Sequence, residues 1–167
     1  MNIDKYYSDK KLLKSDLDKY IDQNLLRKES FAKTLVFAHL EKAKHNLRFV
    51  NKNKTEEEFN DWTIVGLYYA AYHAALALVT NKGYISKNHE ATLLFIIKEY
   101  QIDKKEIELL KDMEITKTDA EFYATLKEKR TQASYATNTL FRTEKVKEYH
   151  KRTIEFINKV EEIIEKS

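Results

Sequence analysis

The sequence predicts an all-α protein, and three observations carry this prediction. Proline is absent and glycine occurs only at Gly66 and Gly83, so few residues interrupt the 167-residue chain. The composition therefore lacks the frequent turn residues of an all-β fold. Apolar residues also recur at three- and four-residue steps along most of the chain, which is the helical period. We expect five or six helices, no strand, and one domain with a real core.

The first two helices are predicted from the spacing of their apolar residues. One covers residues 9–23 and the other covers residues 30–51, with Ser30 as its candidate N-cap. The expected core positions are Leu12, Leu13, Leu17, Tyr20 and Ile21 in the first helix, and Ala32, Leu35, Val36, Leu40, Ala43, Leu47 and Val50 in the second.

The third predicted helix is uncharged from residue 62 to residue 81, in a chain that is 34% charged. Such a helix is either surrounded by other helices or spans a membrane. Polar rings near its middle disfavour lipid, because their O–H and N–H groups need partners. These rings are Tyr68, Tyr69, Tyr72 and His73. We predict the central helix of a soluble bundle, with a Thr55–Glu58 capping box before it and Gly83 after it.

The remaining helices are predicted from caps and apolar spacing. Ser86 is the candidate cap of a fourth helix, and Asp103 with Glu106 forms a capping-box pattern before a fifth. An interruption at Thr116–Asp119 precedes further helix to about residue 136, and Thr143 caps the last helix. The expected core positions are Ala91, Leu94, Phe95, Ile97, Ile107, Leu109, Leu110, Met113, Val146, Tyr149, Thr153, Ile157, Val160 and Ile164.

Composition excludes several classes of function. The chain has no cysteine, so disulfides and thiolate metal sites are excluded and a reducing compartment is expected. The N-terminal segment MNIDKYYSDKK lacks the apolar run of an export signal, and we expect a cytoplasmic protein without a membrane anchor. The net charge of +3 is too small to predict nucleic-acid binding by itself.

The usual catalytic motifs are absent from the sequence. It has no glycine-rich phosphate loop, no G-x-S-x-G and no H-E-x-x-H. The five histidines are scattered, and His39 and His45 are six positions apart on one predicted helix. We therefore predict neither a metal site nor a cofactor.

The segment K-E-K-R-T-Q-A-S-Y, from Lys127 to Tyr135, holds the most informative polar residues. At about 100° per residue, Arg130 falls on the apolar side of the helix with Leu126 and Ala133. A guanidinium in that position needs an acidic or phosphate partner, or extends to solvent. Ser134 shares the side of Arg130, and the alternative to a binding site is a structural salt bridge.

Three blocks of sequence together resemble the HEPN superfamily, in particular short archaeal and bacterial stand-alone HEPN proteins. The similarity extends over residues 26–165, with residues 1–25 as an N-terminal helical extension and residues 26–167 as the domain. The blocks are D-W-T-I-V-G-L-Y-Y-A-A-Y-H-A-A-L-A-L, N-K-G-Y-I-S-K-N-H-E-A-T-L and L-K-E-K-R-T-Q-A-S-Y.

The resemblance implies an up-and-down bundle of four to five helices that pairs as a homodimer. In HEPN ribonucleases an arginine, four to six other residues and a histidine form the active site between subunits. Arg130 matches the arginine, and Tyr135 occupies the histidine position. Arg130 and Tyr135 are thus the candidate catalytic residues. The resemblance also implies a nucleotidyltransferase partner in a toxin–antitoxin-like pair, and Tyr135 as a possible nucleotidylation site.

Three functions follow as alternatives. The first is a nucleotide- or RNA-phosphate-binding module that works with a nucleotidyltransferase, with Arg130, Ser134, Lys127, His73 and His89 as binding candidates. The second is a metal-independent endoribonuclease toxin, in which His73 or His89 replaces the missing base. The third is a structural dimerisation module. For both histidines a structural role is the competing interpretation, in the core for His73 and at a helix start for His89.

Overall fold

A computed structural model of the chain describes residues 4–53, 59–113 and 143–167. These residues form seven α-helices and one small sheet, which confirms the all-α class. The helices are α1 Asp4–Ser8, α2 Lys10–Asp22, α3 Val36–Asn53, α4 Asn60–Asn81, α5 His89–Tyr100, α6 over 104–113, and α7 Thr143–Glu165. The strands are β1 Leu26–Lys28 and β2 Tyr84–Ser86, and a short 3-10 helix covers Ala32–Leu35.

Helix α4 is the centre of the fold, as the sequence predicted. It packs mainly against α3 and α7, with further contacts to α5 and β2. Trp62–Asn81 is long and apolar enough to cross a membrane, but 72% of this segment is buried inside the protein. Small residues let the neighbouring helices approach closely, and the side chains of Ala70, Ala71, Ala74, Ala75 and Ala77 are fully buried.

The prediction that the chain has no strand is wrong. Strands β1 and β2 pair antiparallel, with Leu26 opposite Ser86 and Lys28 opposite Tyr84. Each strand has only three residues, too few to show an alternating pattern, and the two strands are far apart in sequence. Gly83 has a φ of +81°, the left-handed conformation that turns the chain from α4 into β2. Its predicted role after α4 is confirmed.

Two predicted caps are also wrong. Ser86 lies in β2, and the cap of α5 is Asn88, whose Oδ1 accepts a hydrogen bond from the Ala91 N–H at 2.9 Å. Ser30 does not start α3, which begins six residues later at Val36. The backbone before the helix has other partners, because the Glu29 N–H donates to the Gly83 carbonyl at 2.9 Å.

The other predicted helices that lie within the described residues have most of their expected core positions buried, but the prediction for Ile21 is wrong, because this residue near the end of α2 is 40% exposed. Helix α2 covers Lys10–Asp22 after an Asp9 cap, and α7 begins at Thr143. The fifth predicted helix starts after Asp103, as expected. The carboxylates that were predicted to form its capping box, Asp103 and Glu106, both accept hydrogen bonds from the Lys159 ammonium. The Thr55–Glu58 capping box and the Thr116–Asp119 interruption lie outside the described residues. Predicted core residues found buried include Leu13, Leu17, Val36, Leu40, Leu94, Phe95, Ile107, Met113, Val146 and Ile157.

The N-terminal segment packs on the bundle through tyrosine hydroxyls. Tyr7 donates to the Ile102 carbonyl at 2.6 Å, and Tyr20 donates to Glu90 at 2.8 Å. The hydrogen bond from Tyr20 to Glu90 anchors α2 to the start of α5, one residue after His89. The division into an extension of residues 1–25 and a domain of residues 26–167 stays a prediction.

Candidate functional site

The candidates in the Arg130 segment, Lys127, Arg130, Ser134 and Tyr135, lie outside the described residues. The structure describes the two remaining candidates, His73 and His89. His73 is a residue of α4 and His89 is the first residue of α5, and each contacts a different set of rings. Tyr72 lies between them, with its ring centroid 6.5 Å from that of His73 and 4.2 Å from that of His89.

His73 is hydrogen-bonded to a second histidine that the sequence did not single out. Its Nδ1 lies 3.1 Å from the Nδ1 of His39, which projects from α3. The ring centroids are 5.4 Å apart. The centroid distance exceeds the distance between the two nitrogens by the radius of one imidazole ring on each side. The rings therefore face each other nearly end to end, which is the geometry of a direct hydrogen bond. One Nδ1 must carry the proton while the other accepts.

Both imidazoles of this pair are held in the neutral form at pH 7. Burial, with smaller contributions from the nearby His39 and Lys42, lowers the pKa of His73 to about 4. Burial also lowers the pKa of His39. A neutral imidazole can donate or accept a hydrogen bond from a ligand, but with so low a pKa His73 is a weak general base.

His89 has a different environment, at the junction of β2 and α5. It is the first residue of α5, after the Asn88 cap, and not the third helical residue that a Ser86 cap would make it. The Tyr68 hydroxyl is hydrogen-bonded to the His89 Nδ1. The His89 ring also stacks on Tyr72, at an interplanar angle of 7°.

The rings around His89 are packed tightly. Tyr68 is 2% exposed, and the space bounded by Tyr68, Tyr72, His89, Leu93 and Leu110 has no room for a water molecule. Polar atoms at its edge bond to each other, since Thr92 Oγ1 donates to Ser86 Oγ at 2.8 Å. A ligand can reach this site only if the stacked rings move apart.

A larger cleft of about 270 Å³ lies between α6 and α7, and its charged groups neutralise each other. The Lys159 ammonium donates to Asp103 at 2.9 Å and to Glu106 at 3.1 Å. Arg152 donates to the Lys105 carbonyl at 2.6 Å. These contacts tie α7 to the start of α6, so the cleft has a structural explanation. In the described parts of the chain no three His, Asp or Glu side chains come together as metal ligands.

Sequence reasoning missed the pairings of both histidines. The i, i+4 spacing of Tyr68 with Tyr72 and of Tyr69 with His73 places two aromatic rows on α4, and this signal was available. The partnership of His39 with His73 depends on the register between α3 and α4, which no sequence pattern fixes.

The comparisons with known proteins identify one family. A model of the HEPN domain family matches residues 36–165, which is well over half of the chain. No curated protein and no solved structure matches the sequence. The match includes α3, α4, α5 and α7, the helices that form the core described above, and it also includes the Arg130 segment. The chain therefore belongs to the HEPN domain family.

Proposed function

We propose that this HEPN protein binds a nucleotide or an RNA phosphate through Arg130 and works with a nucleotidyltransferase partner, as in a toxin–antitoxin-like pair. The observation that carries the proposal is the segment from Lys127 to Tyr135, which lies inside the region matched by the family. A guanidinium presents a fork of N–H donors that suits phosphate, and this recognition requires no proton transfer. Lys127 and Ser134 lie close enough in sequence to add further contacts.

Binding without cleavage is supported by the groups available as bases. A phenol with a pKa near 10 is a poor base at neutral pH, so Tyr135 does not replace an imidazole. The two described histidines offered as substitutes already have partners, His39 for His73 and Tyr68 for His89. The low pKa of His73 further weakens its case as a base. The ribonuclease alternative is therefore the weaker of the two.

We propose that the protein acts as a homodimer in the cytoplasm. The proposal rests on the family resemblance and on the place of Arg130 on the apolar side of its segment. Arginine and tyrosine are enriched at protein interfaces. Sedimentation velocity at micromolar concentration tests it, and a species of only 20 kDa would contradict it.

The binding step is tested with a fluorescent ATP analogue and a labelled oligouridine of about 12 nucleotides, which is within the site sizes of single-strand-binding proteins. Arg130→Ala should weaken binding at least about tenfold, the lower range for a charge-assisted contact. The matched control is Lys14→Ala, which removes one exposed positive charge from α2. Equal binding by both variants, with a lowered melting temperature for Arg130→Ala alone, would show a structural salt bridge instead.

The partnership is tested by co-expression with a nucleotidyltransferase encoded beside this protein, followed by mass spectrometry of the purified chain. We expect an added nucleotide on Tyr135 and no addition to a Tyr135→Phe variant. An unmodified Tyr135 in the presence of an active nucleotidyltransferase would remove the modification from the proposal.

A further inference from the structure

Three polar side chains of α3 share the side of the helix that lies next to α4. His39, Lys42 and Asn46 follow steps of three and four residues, so they are neighbours along one face. His39 reaches across to α4, because its Nδ1 lies 3.1 Å from the Nδ1 of His73. Four polar side chains thus lie together at a helix that carries no Asp, Glu, Lys or Arg from residue 62 to residue 81.

Asn46 contributes a hydrogen-bond donor that lacks an acceptor. Its Nδ2 is buried, and within residues 4–53, 59–113 and 143–167 no group accepts a hydrogen bond from it. A buried amide donor without an acceptor costs about 1–3 kcal/mol. A ligand oxygen that accepts from this nitrogen would remove the cost, so this position favours an acceptor.

Lys42 places a positive charge beside the histidine pair. The pKa of His73 is lowered mainly by burial, and then by His39 and by the charge of Lys42, so this ammonium lies near the His73 ring. Lys44 of the same helix pairs with Glu161 at 2.6 Å, whereas exposed Lys42 forms no ion pair with a carboxylate of the described residues. An anion at this position can therefore pair with Lys42.

The histidine pair can supply one further donor. When His39 donates its Nδ1–H, the Nδ1 of His73 accepts, and the proton of the His73 ring is then on Nε2. Neither Nε2 has a hydrogen-bond partner among the described residues, and both rings are only half-buried. An anion beside the His73 ring would select this tautomer, because the other one presents a lone pair to it.

We propose that this cluster, formed by His39, Lys42 and Asn46 of α3 and by His73 of α4, binds a carboxylate group. The two oxygens of the carboxylate accept from the Lys42 ammonium, from the Asn46 amide and from the Nε2–H of His73. Hydrogen bonds between charged donors and carboxylates are the strong ones, and the neutral donors orient the group. His39 acts as a positioning residue, since its Nδ1–H fixes the tautomer of His73.

The charge of the cluster favours a carboxylate over a phosphate dianion. Both imidazoles are neutral at pH 7, so Lys42 supplies the one full charge of these four side chains. A monoanion is neutralised by that charge. A dianion would keep a second negative charge without a cation in the cluster, and its partial burial would be unfavourable.

The experiment follows the ring nitrogens of His73 by nitrogen NMR during a titration with sodium acetate at pH 7. Sodium chloride at equal ionic strength is the blank. We expect saturable shifts in the millimolar range, because acetate is too small to bind more tightly. The signal of Nε2 should move toward that of the protonated nitrogen. A histidine pair with only a structural role would give no saturable response.

Substitutions assign the binding to the cluster. Lys42→Gln should weaken acetate binding at least about tenfold, the lower range for a contact with a charged group. The matched control is Lys52→Gln, which removes the same charge from an exposed position of the same helix and should leave acetate binding unchanged. Asn46→Asp places a carboxylate beside Lys42 within the chain and should abolish acetate binding. Arg130→Ala should not affect it, so this site and the proposed phosphate site succeed or fail separately.

A second ligand identifies the source of the carboxylate. It is a short capped peptide with one central glutamate, titrated in the same way. Binding of the peptide at least as tight as that of acetate would assign the cluster to an acidic side chain of a partner protein. Binding of acetate alone would assign it to a small organic acid. Either result supports a carboxylate site.

Three results would overturn the inference. One is a response of His73 to acetate that equals its response to chloride. Another is an equal loss of acetate binding in Lys42→Gln and in the Lys52→Gln control. The third is inorganic phosphate that binds to the cluster more tightly than acetate. Circular dichroism of each variant verifies that the fold is retained.

Discussion

The environments of His73 on α4 and of His89 at the start of α5 differ in how far the structure restricts the two side chains. The His39–His73 pair joins two helices in a half-buried position, and one neutral ring donates its Nδ1–H to the Nδ1 of the other. His89 lies in a closed aromatic stack, bonded to a buried tyrosine and covered by Tyr72. We therefore expect the stability of the first site to depend on protonation and that of the second to depend on packing. The contacts of His73 and His89 therefore give both residues a structural role without any catalytic function.

The largest expected effect concerns the closed stack. Tyr68→Ala should lower the free energy of unfolding by about 3–5 kcal/mol, the usual cost of removing a buried aromatic ring. Urea denaturation measures it. The comparison is Tyr69→Ala at the next position of α4, which should cost less because Tyr69 is 36% exposed whereas Tyr68 is 2% exposed. Equal losses for the two variants would show that the stack around His89 is not a closed site.

The next effect concerns protonation of the histidine pair. An unfolded histidine has a pKa near 6.5, whereas burial lowers that of His73 to about 4, so the unfolded state binds more protons between these values. The free energy of unfolding should therefore fall by roughly 2 kcal/mol as pH decreases from about 6.5 to 4, and it should change little above pH 7.

Denaturation of the His73→Gln variant isolates this contribution. Its stability should depend less on pH across the same interval, while His45→Gln, at an exposed position on α3, should retain the wild-type curve. A variant curve that parallels the wild type over the whole interval would show that the histidine pair does not set the acid sensitivity.

A smaller change in the free energy of unfolding is expected at the contact between α3 and α4, which is tested independently of the aromatic stack around His89. Gly66→Ala should lower the free energy of unfolding by about 1–2 kcal/mol, because the new Cβ would lie 2.6 Å from Val50. In a double-mutant cycle, Val50→Ala should relieve part of this cost. A stabilising Gly66→Ala, as expected from helix propensity alone, would show that the helices can separate freely there.

The smallest effect concerns the N-terminal segment, which contacts the start of α5 one residue after His89. Tyr20→Phe removes the hydrogen bond to Glu90 and should cost about 1 kcal/mol. Thermal denaturation detects it, and Tyr7→Phe, which removes the bond to the Ile102 carbonyl, provides a comparison of similar size. No loss in either variant would show that these contacts do not stabilise the bundle.

Much of the fold was predictable because its helices have strong local signals. The uncharged run of α4, the Gly83 turn and the apolar spacing of α7 depend on residues close in sequence. The strands were not predictable, since three residues carry no period and the pairing of Leu26 with Ser86 spans the whole of α3 and α4. The same pairing explains why Ser86 is not the cap of α5.

The candidate site was predictable only as far as local sequence reaches. The pattern of Arg130 and Tyr135 is read from neighbouring residues, and the family match to 36–165 includes it. The partners of His73 and His89 come from other elements, so their chemistry depends on tertiary packing. The proximity of Phe49 and Val50 to Gly66 likewise depends on the close approach of two helices.

The most direct test of the central claim, phosphate recognition without a general base, is incubation of the purified protein with mixed RNA in EDTA. We predict intact RNA after incubation at pH 7, because Tyr135 occupies the histidine position and a phenol with a pKa near 10 is a poor base at that pH. A Tyr135→His variant, which restores the imidazole, is the positive comparison and should gain cleavage. Robust cleavage by the wild-type protein that disappears in Arg130→Ala would contradict the account and make the ribonuclease the leading function.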